Sequence, residues 1–213
     1  MANPSRLLRV LSEMAAEKGY AVGVAAAAPS PTGDRLGAWL AEERHGEMDW
    51  MAKGPERRAD PRQVVTGARS VIAFATSYRT AEPPPADRLR AELRGKVARY
   101  AWSRDYHDVL TEELRGIVAA VDKEAGTEGN KTYVDTGPVL ERDIAARAGL
   151  GFASKNTNLI RPGDGSFLFL GAGITKAELD PTPSDARPGC GTCRICLDEC
   201  PTKAIVAPHV VDA

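Results

Sequence analysis

A chain of 213 residues is long enough to bury a substantial core as one domain with a small appendage. Its net charge of −1 excludes a global polycation that would hold nucleic acid by charge alone. No apolar stretch approaches the roughly 20 residues of a membrane-spanning helix, and the N-terminus lacks the apolar segment of a secretory signal. A cytoplasmic protein without a membrane partner is therefore expected.

Helical and extended patterns alternate along the first half of the chain. Apolar residues at helical spacing predict a first helix that ends near Gly19, followed by a buried strand in YAVGVAAAA. A second helical region is expected after Pro31, and a buried strand in SVIAFATSY. The proline-rich EPPPADR predicts an exposed loop, and KVARYAWS a short strand. A long helix should run from Asp105 to about Glu124.

The second half continues the alternation. NKTYVDTG predicts a strand that turns at Gly137 and Pro138, and VLERDIAARAGL predicts a helix with Gly137 as its N-cap and Pro138 in the first helical position. Strands are expected in NTNLI and SFLFLGAGIT, and a linker in DPTPSDARPG. Alternating strands and helices predict an α/β fold, divided into a main domain at residues 1–179 and a small module at residues 180–213.

All the cysteines of the chain lie close together. Cys190, Cys193, Cys196 and Cys200, followed by Pro201, have the spacing of bacterial two-cluster ferredoxins, in which the fourth cysteine ligates the other cluster. The alternatives are zinc, which usually takes ligand pairs from separated segments, and disulfides, which would close very small loops here. The spacing favours an iron–sulfur site with these four cysteines as metal ligands.

Polar residues at predicted strand ends are candidates for catalysis. Asp135 follows a strand and precedes a helix, where α/β folds place catalytic groups, although a solvated turn aspartate is the alternative explanation. His107, in ARYAWSRDYH, is a candidate switch or ligand. Several arginines also lie close together in the sequence: Arg57, Arg58, Arg62 and Arg69. They form either a surface that binds phosphates or an ordinary solvent-exposed surface.

The chain resembles the epoxyqueuosine reductases. Members of this family are cobalamin- and iron–sulfur-dependent enzymes that modify the wobble base of tRNA. The matching stretches are HGEMDWMAKGPERRADPR, GARSVIAFATSY, ARYAWSRDYH, VDTGPVLERDIAARAGLGFASKNTNLI, GSFLFLG and CGTCRICLDECPTKAI. The resemblance covers essentially the whole chain. Its most specific parts are residues 134–160 and the cysteine run.

The resemblance implies a cobalamin-binding domain with a fold similar to that of reductive dehalogenases, followed by a ferredoxin-like module whose two [4Fe–4S] clusters deliver electrons to cobalt. The implied reaction reduces epoxyqueuosine in tRNA to the alkene of queuosine, with electrons from an external donor and loss of oxygen as water. A monomer is expected. Asp135 matches the family's proton donor. The residues that fall in corrin-pocket motifs are Arg58, Tyr100, Asp135, Lys155, Asn156 and Ser166.

The resemblance also implies sequence beyond this chain. Family members continue with a second cysteine run and a region that helps to hold tRNA, so the chain is expected to be the N-terminal part of such an enzyme, with its second cluster incomplete. Two alternatives are a non-catalytic iron–sulfur electron carrier and another cobalamin and iron–sulfur reductase that acts on small molecules. The carrier would leave VDTGPVLER and SKNTNLI without a role.

Overall fold

A computed structural model describes residues 4–79, 97–184 and 189–213. The elements before the first internal gap are α1 (Pro4–Glu17), β1 (Ala21–Ala26), α2 (Gly33–Ala41), α3 (Pro55–Ala59) and β2 (Ser70–Ser77). Those of the middle range are α4 (Tyr106–Ala125), β3 (Lys131–Tyr133), α5 (Glu141–Arg147), β4 (Phe152–Ala153), β5 (Leu159–Ile160) and β6 (Leu168–Thr175). The last range holds α6 (Ile195–Asp198), β7 (Ile205–Ala207) and β8 (Val210–Val211). Short 3-10 turns occupy Asp49–Ala52, Pro61–Gln63 and Arg99–Ala101.

The main sheet of the described residues has the strand order β1-β2-β6-β3, and each neighbouring pair is antiparallel. The long β2–β6 pairing runs from Ser70 opposite Thr175 to Ser77 opposite Leu168. Strands β4 and β5 form a small hairpin, and β7 and β8 form another. The mixed α/β content predicted from the sequence is confirmed.

Helices cover both faces of this sheet. Alternate residues of β2 point to opposite sides: Ile72 and Phe74 pack with α1 and α4, whereas Val71 and Ala73 pack with α5. Helix α4 lies directly on β6, because a Cβ atom at Gly173 would come within 2.5 Å of Val118 Cγ2. A Cβ atom at Gly171 would likewise come within 2.3 Å of Leu114 Cδ1, so α4 runs along β6.

Capping residues fix where α4 begins and ends. The Asp105 carboxylate accepts a hydrogen bond of 2.9 Å from the His107 backbone N–H, and Gly126 ends the helix in the left-handed conformation. The observed helix therefore agrees with the predicted one within a residue at each end. Its first turn, Tyr106 and His107, is brought to the edge of the sheet.

Two sequence predictions are wrong. KVARYAWS is not a strand in its described part: Arg99–Ala101 forms a 3-10 turn, whose backbone hydrogen bonds are made locally, and Trp102 Nε1 donates to Val97 O over 2.9 Å. Helix α5 begins at Glu141 with Leu140 as N-cap, so Gly137 and Pro138 do not begin it. Gly137 is packed so closely on the Tyr133 ring that no Cβ fits there, which keeps this stretch in a turn.

Some predicted features lie outside the described residues. The EPPPADR loop falls there entirely, and the DPTPSDARPG linker falls there in part. The division into domains at residue 180 stays a prediction. In the described part of the chain, no helix has the length and apolar character needed to cross a membrane.

Candidate active site and cysteine segment

A cavity of about 310 Å³ lies where α4, β5, β6 and the turn after β3 meet. Its wall combines aromatic and aliphatic side chains with polar and charged ones, and more of its surface is polar than apolar. The lining residues are Tyr78, Tyr100, Tyr106, Asp135, Arg142, Asn158, Leu159, Ser166, Leu168, Phe169 and Leu170. Three of the residues predicted from the sequence, Tyr100, Asp135 and Ser166, are thus brought together.

Asp135 presents its carboxylate at this cavity from a strained turn. Its φ of +61° is in the left-handed region, which aspartate tolerates better than most residues. The side chain is 67% exposed. Tyr106 Oη donates a hydrogen bond of 2.9 Å to Asp135 Oδ2, and His107 Nε2 lies 3.4 Å from the same oxygen. The turn therefore delivers an accessible carboxylate with a hydroxyl and an imidazole beside it.

His107 lies between two carboxylates. Its Nδ1 is 2.7 Å from Asp105 Oδ1, on the side of the ring opposite Asp135. Burial works against the charged imidazolium, but the hydrogen bonds and negative charges of Asp105 and Asp135 outweigh it, so the pKa of His107 is raised above 6.5. The pKa of Asp105 is lowered, first by the His107 backbone N–H and then by its ring.

Tyr106 is held in place by ring stacking. Its ring centroid lies 4.0 Å from that of His107 and 4.3 Å from that of Phe169, both in stacked geometry. Burial raises the pKa of Tyr106, and the hydrogen bond to Asp135 raises it further. Tyr106 is therefore a neutral hydrogen-bond donor near pH 7.

Glu141, the first residue of α5, lies near this group without touching the cavity. The residue is half-buried, but its Oε1 atom is fully enclosed and has no hydrogen-bond partner among the described residues. Burial raises the pKa of Glu141 to about 7, against the effect of its own backbone N–H, and the negative charge of Asp135 adds to the rise. The nearby guanidinium groups of Arg58 and Arg142 oppose the rise.

Arg58 and Asn156, predicted as cofactor ligands, do not line the cavity. Arg58 donates hydrogen bonds to Gly137 O over 3.2 Å and to Trp50 O over 3.1 Å, so it supports the turn that carries Asp135. Its Nε is buried without a partner among the described residues. The Asn156 carboxamide oxygen accepts hydrogen bonds from the Ser154 hydroxyl and the Asn158 N–H, closing the turn between β4 and β5.

Lys155 points from that same turn toward the cysteines. Its ammonium group donates to Gly191 O over 2.7 Å and to Cys193 O over 2.8 Å. The backbone oxygen of Lys155 accepts a hydrogen bond of 2.9 Å from His209 N. Its predicted contact with a corrin stays a prediction, whereas its contact with the cysteine segment (residues 189–213) is observed.

No disulfide joins Cys190, Cys193, Cys196 or Cys200. Hydrogen bonds from the Ile205 backbone N–H, first, and then from the Thr202 hydroxyl lower the pKa of Cys200 to about 7, which favours the thiolate that binds iron. Within residues 4–79, 97–184 and 189–213, no three cysteine, histidine or carboxylate side chains are grouped tightly enough to hold a single metal ion. Three cysteines at this spacing in one continuous segment are the ligand pattern of a cubane cluster, whereas zinc usually takes ligand pairs from separated segments.

Sequence reasoning did not assign several residues around the cavity. Arg142 and Asn158 occur in the VLER and NTNLI stretches, which could have identified them, and their guanidinium and carboxamide groups reach the cavity. Tyr78 and Phe169 carry no local signal, because aromatic residues in strands usually indicate core packing. Glu141 could not be found from spacing, since its unusual property comes from burial.

Comparisons with known proteins show the family to which the chain belongs. A family model described as "Epoxyqueuosine reductase QueG, DUF1730" matches residues 58–136, which contain Arg58, Tyr100 and Asp135. An epoxyqueuosine reductase of Synechocystis is 42% identical over 179 residues, covering 84% of this chain and 60% of the relative. That of Escherichia coli is 35% identical over 210 residues, covering 98% of this chain and 55% of the relative. This chain is a homologue of epoxyqueuosine reductase.

Solved structures support the same relationship. The crystal structure of an epoxyqueuosine reductase with an epoxyqueuosine-modified tRNA-Tyr stem loop has a TM-score of 0.88 and 32% identity, covering 99% of this chain and 56% of that one. The Bacillus subtilis enzyme, with an aspartate-bearing catalytic loop swung out of its active site, has a TM-score of 0.84, 31% identity and coverages of 99% and 55%. The chain spans about half the length of these relatives.

A more distant structure shares the fold. The reductive dehalogenase NpRdhA has a TM-score of 0.51 at 15% identity, covering 98% of this chain and 24% of that one. The predicted likeness of fold to reductive dehalogenases is thereby confirmed. The family predicted from the sequence is confirmed as well, while the individual site residues stay predictions.

Proposed function

We propose that the cavity at Asp135 takes part in the reduction of epoxyqueuosine to queuosine at the wobble position of tRNA, in an enzyme that uses cobalamin and [4Fe–4S] clusters. The observation that carries the proposal is the accessible Asp135 carboxylate, hydrogen-bonded to Tyr106 and adjacent to His107 at a ligand-sized cavity. The relative in complex with a modified tRNA stem loop supports the choice of substrate.

The proposed reaction needs protons at the oxygen atom that leaves the epoxide. Conversion of an epoxide to an alkene breaks both carbon–oxygen bonds, consumes two electrons and two protons, and releases the oxygen as water. When bound, cobalamin supplies the electrons to substrate carbon. The protons for the leaving oxygen come from the protein side, where a positioned acid accelerates such a step by about 10²- to 10⁴-fold.

Asp135, Tyr106 and His107 divide this work. Asp135, protonated from His107, faces the cavity and transfers the two protons to the leaving oxygen one after the other. His107 holds a proton next to the Asp135 carboxylate, which its raised pKa favours, and passes a proton to Asp135 as each one is used. Tyr106 orients the carboxylate by its hydrogen bond, and stacking on Phe169 holds its ring in place.

The cavity wall offers aromatic faces and polar groups to part of a ring system that carries polar substituents. Tyr78, Tyr100 and Phe169 offer aromatic surface, and Ser166 and Arg142 offer polar contacts for amide or hydroxyl groups. The volume is at the low end for ligand pockets, so the cavity would hold the reacting parts of larger partners. Tyr100 and Ser166 are the proposed cobalamin contacts in the wall, while Arg58, Lys155 and Asn156 are proposed contacts from neighbouring turns.

The cysteine segment would supply electrons to this site. Cys190, Cys193 and Cys196 would ligate one cluster and Cys200 another, as their spacing predicts. An external protein or chemical donor of low potential would reduce them.

The proposal is tested by reconstituting the chain with iron, sulfide and cobalamin under reducing conditions and adding tRNA that contains epoxyqueuosine. We expect corrin absorption to remain with the protein after gel filtration, and queuosine to appear in the digested tRNA by mass spectrometry. A parallel sample without cobalamin is the control. A protein that retains clusters but no corrin, and forms no queuosine, would contradict the proposal and support the electron-carrier alternative.

A further inference from the structure

The turn between β4 and β5, residues 154–158, touches both the cavity and the cysteine segment. Toward the cavity, Arg142 donates hydrogen bonds to Thr157 O over 3.2 Å and to the Thr157 hydroxyl over 3.4 Å, and Asn158 forms part of the wall. Toward the cysteines, Lys155 bonds two backbone oxygens of the loop between Cys190 and Cys193. One short turn therefore joins the proposed reaction site to the proposed electron relay.

The turn itself is rigid. Ser154 N donates to Asn158 O and Thr157 N donates to Ser154 O, each over 2.9 Å. The Ser154 side chain is buried, and its hydroxyl oxygen lies 2.9 Å from Asn158 O. Because the backbone of this turn is fixed from within, the position of the Lys155 side chain is defined relative to the cavity wall.

The two ends of the cysteine segment are held differently. Near its C-terminal end, Trp39 Nε1 donates to Val211 O over 2.6 Å and Ala213 N donates to Arg44 O over 3.0 Å. Near its N-terminal end, the ammonium group of Lys155 makes the side-chain hydrogen bonds to the cysteine loop. Charge-assisted hydrogen bonds of this length are the stronger ones in proteins.

We propose that Lys155 is a positioning residue that fastens the cysteine loop, residues 190–193, to the cavity wall and places a positive charge beside the first cluster. The role of the loop in electron transfer rests on the proposed function, whereas the fastening does not. A fixed loop gives the cluster a constant distance to the cavity. A neighbouring cation favours the more negative, reduced form of a cluster.

Hydrogen exchange followed by mass spectrometry tests the fastening without any cofactor. In Lys155→Met, we expect amides of residues 193–199 to exchange at least tenfold faster, while those of residues 210–213 keep their protection through Trp39 and Arg44. Lys155→Arg should restore slow exchange, because it keeps a cationic donor. Lys176→Met, which removes a lysine beside Gly129, is the control for loss of charge. Unchanged exchange in Lys155→Met would overturn the proposal.

The reduction potential of the reconstituted cluster tests the electrostatic part. Lys155→Met should lower the midpoint potential, Lys155→Arg should keep it near that of the wild type, and Lys176→Met should leave it unchanged. An unchanged potential in Lys155→Met would overturn the placement of charge. If the wild-type chain assembles no cluster, the proposed function fails, and the exchange experiment still decides whether Lys155 fastens the loop.

Discussion

Tyr106 Oη donates a hydrogen bond of 2.9 Å to Asp135 Oδ2, and this bond joins the first turn of α4 to the turn after β3. The two residues are 29 positions apart in the sequence. Capping by Asp105 and ring stacking on Phe169 hold the tyrosine, while the Tyr133–Gly137 contact holds the turn of Asp135. The site thus depends on the packing of α4 against the sheet.

The first prediction concerns the titration of His107. Its imidazole should titrate above pH 6.5 in an NMR experiment, because Asp105 and Asp135 stabilise the charged form. Asp105→Asn keeps a capping side chain but removes a charge, so it should lower the His107 pKa. Because the folded protein binds this proton more tightly than the unfolded chain does, protonation of His107 stabilises the fold. This contribution is fully present below pH 6.5 and is lost as the pH rises through the pKa of the folded state.

His107→Gln provides the control for that prediction. This variant lacks the titrating imidazole. The wild type should therefore gain unfolding free energy relative to the variant as the pH falls through the His107 pKa, and the difference between the two proteins should be constant above it. A wild-type midpoint at or below 6.5 would show that the two carboxylates do not stabilise the imidazolium.

The sequence predicted the location of Asp135 but not its partners. A polar residue after a strand and before a helix has a recognisable position, and both elements were found. The start of α5 was misplaced, because the chain packs Gly137 against the Tyr133 ring before the helix begins, and capping rules do not contain such a side-chain contact. Tyr106 contributed to the apolar pattern of α4, which concealed the hydrogen bond of its hydroxyl group.

The cysteine spacing identified the predicted metal ligands, but it gave no information on how their loop is attached. Lys155 was assigned by resemblance to the cavity, whereas its ammonium group bonds the cysteine loop. Such a contact joins residues 36 and 38 positions apart, and only the fold brings them together.

A second prediction concerns the buried carboxyl of Glu141. Its pKa of about 7, against an ordinary 4.5, means that folding favours the protonated form. Stability from this group is fully present below pH 4.5 and is lost as the pH rises through 7. Glu141→Gln should therefore be more stable than the wild type at pH 8, by up to about 3 kcal/mol, and nearly equal to it near pH 4.5.

Urea unfolding at several pH values measures this difference. Glu17→Gln, at an exposed position of α1, is the matched control and should show no comparable pH dependence. A Glu141→Gln protein that is less stable than the wild type at pH 8 would mean that the carboxylate is compensated by its neighbouring guanidinium groups.

A third prediction compares two glycines associated with α4. Gly173→Ala should destabilise the protein by about 1–3 kcal/mol, because the new methyl group would overlap Val118. Gly116→Ala, on the exposed side of the same helix with open space around it, should stabilise the protein by roughly 0.5–1 kcal/mol. Thermal unfolding of both variants measures these changes in stability. If the two substitutions changed the stability by the same amount, the close packing of α4 on β6 would be contradicted.

The most direct test of the account is the rate of epoxyqueuosine reduction by Asp135→Asn in a single turnover, with cobalamin bound and prereduced. We expect the rate to fall by about 10²- to 10⁴-fold while the corrin absorption spectrum stays that of the wild type, since the substitution removes a proton donor and leaves the cavity intact. Asp34→Asn, at an exposed position of α2, should keep the wild-type rate. An undiminished rate in Asp135→Asn would contradict the assignment of the Asp135 cavity as the site of proton transfer.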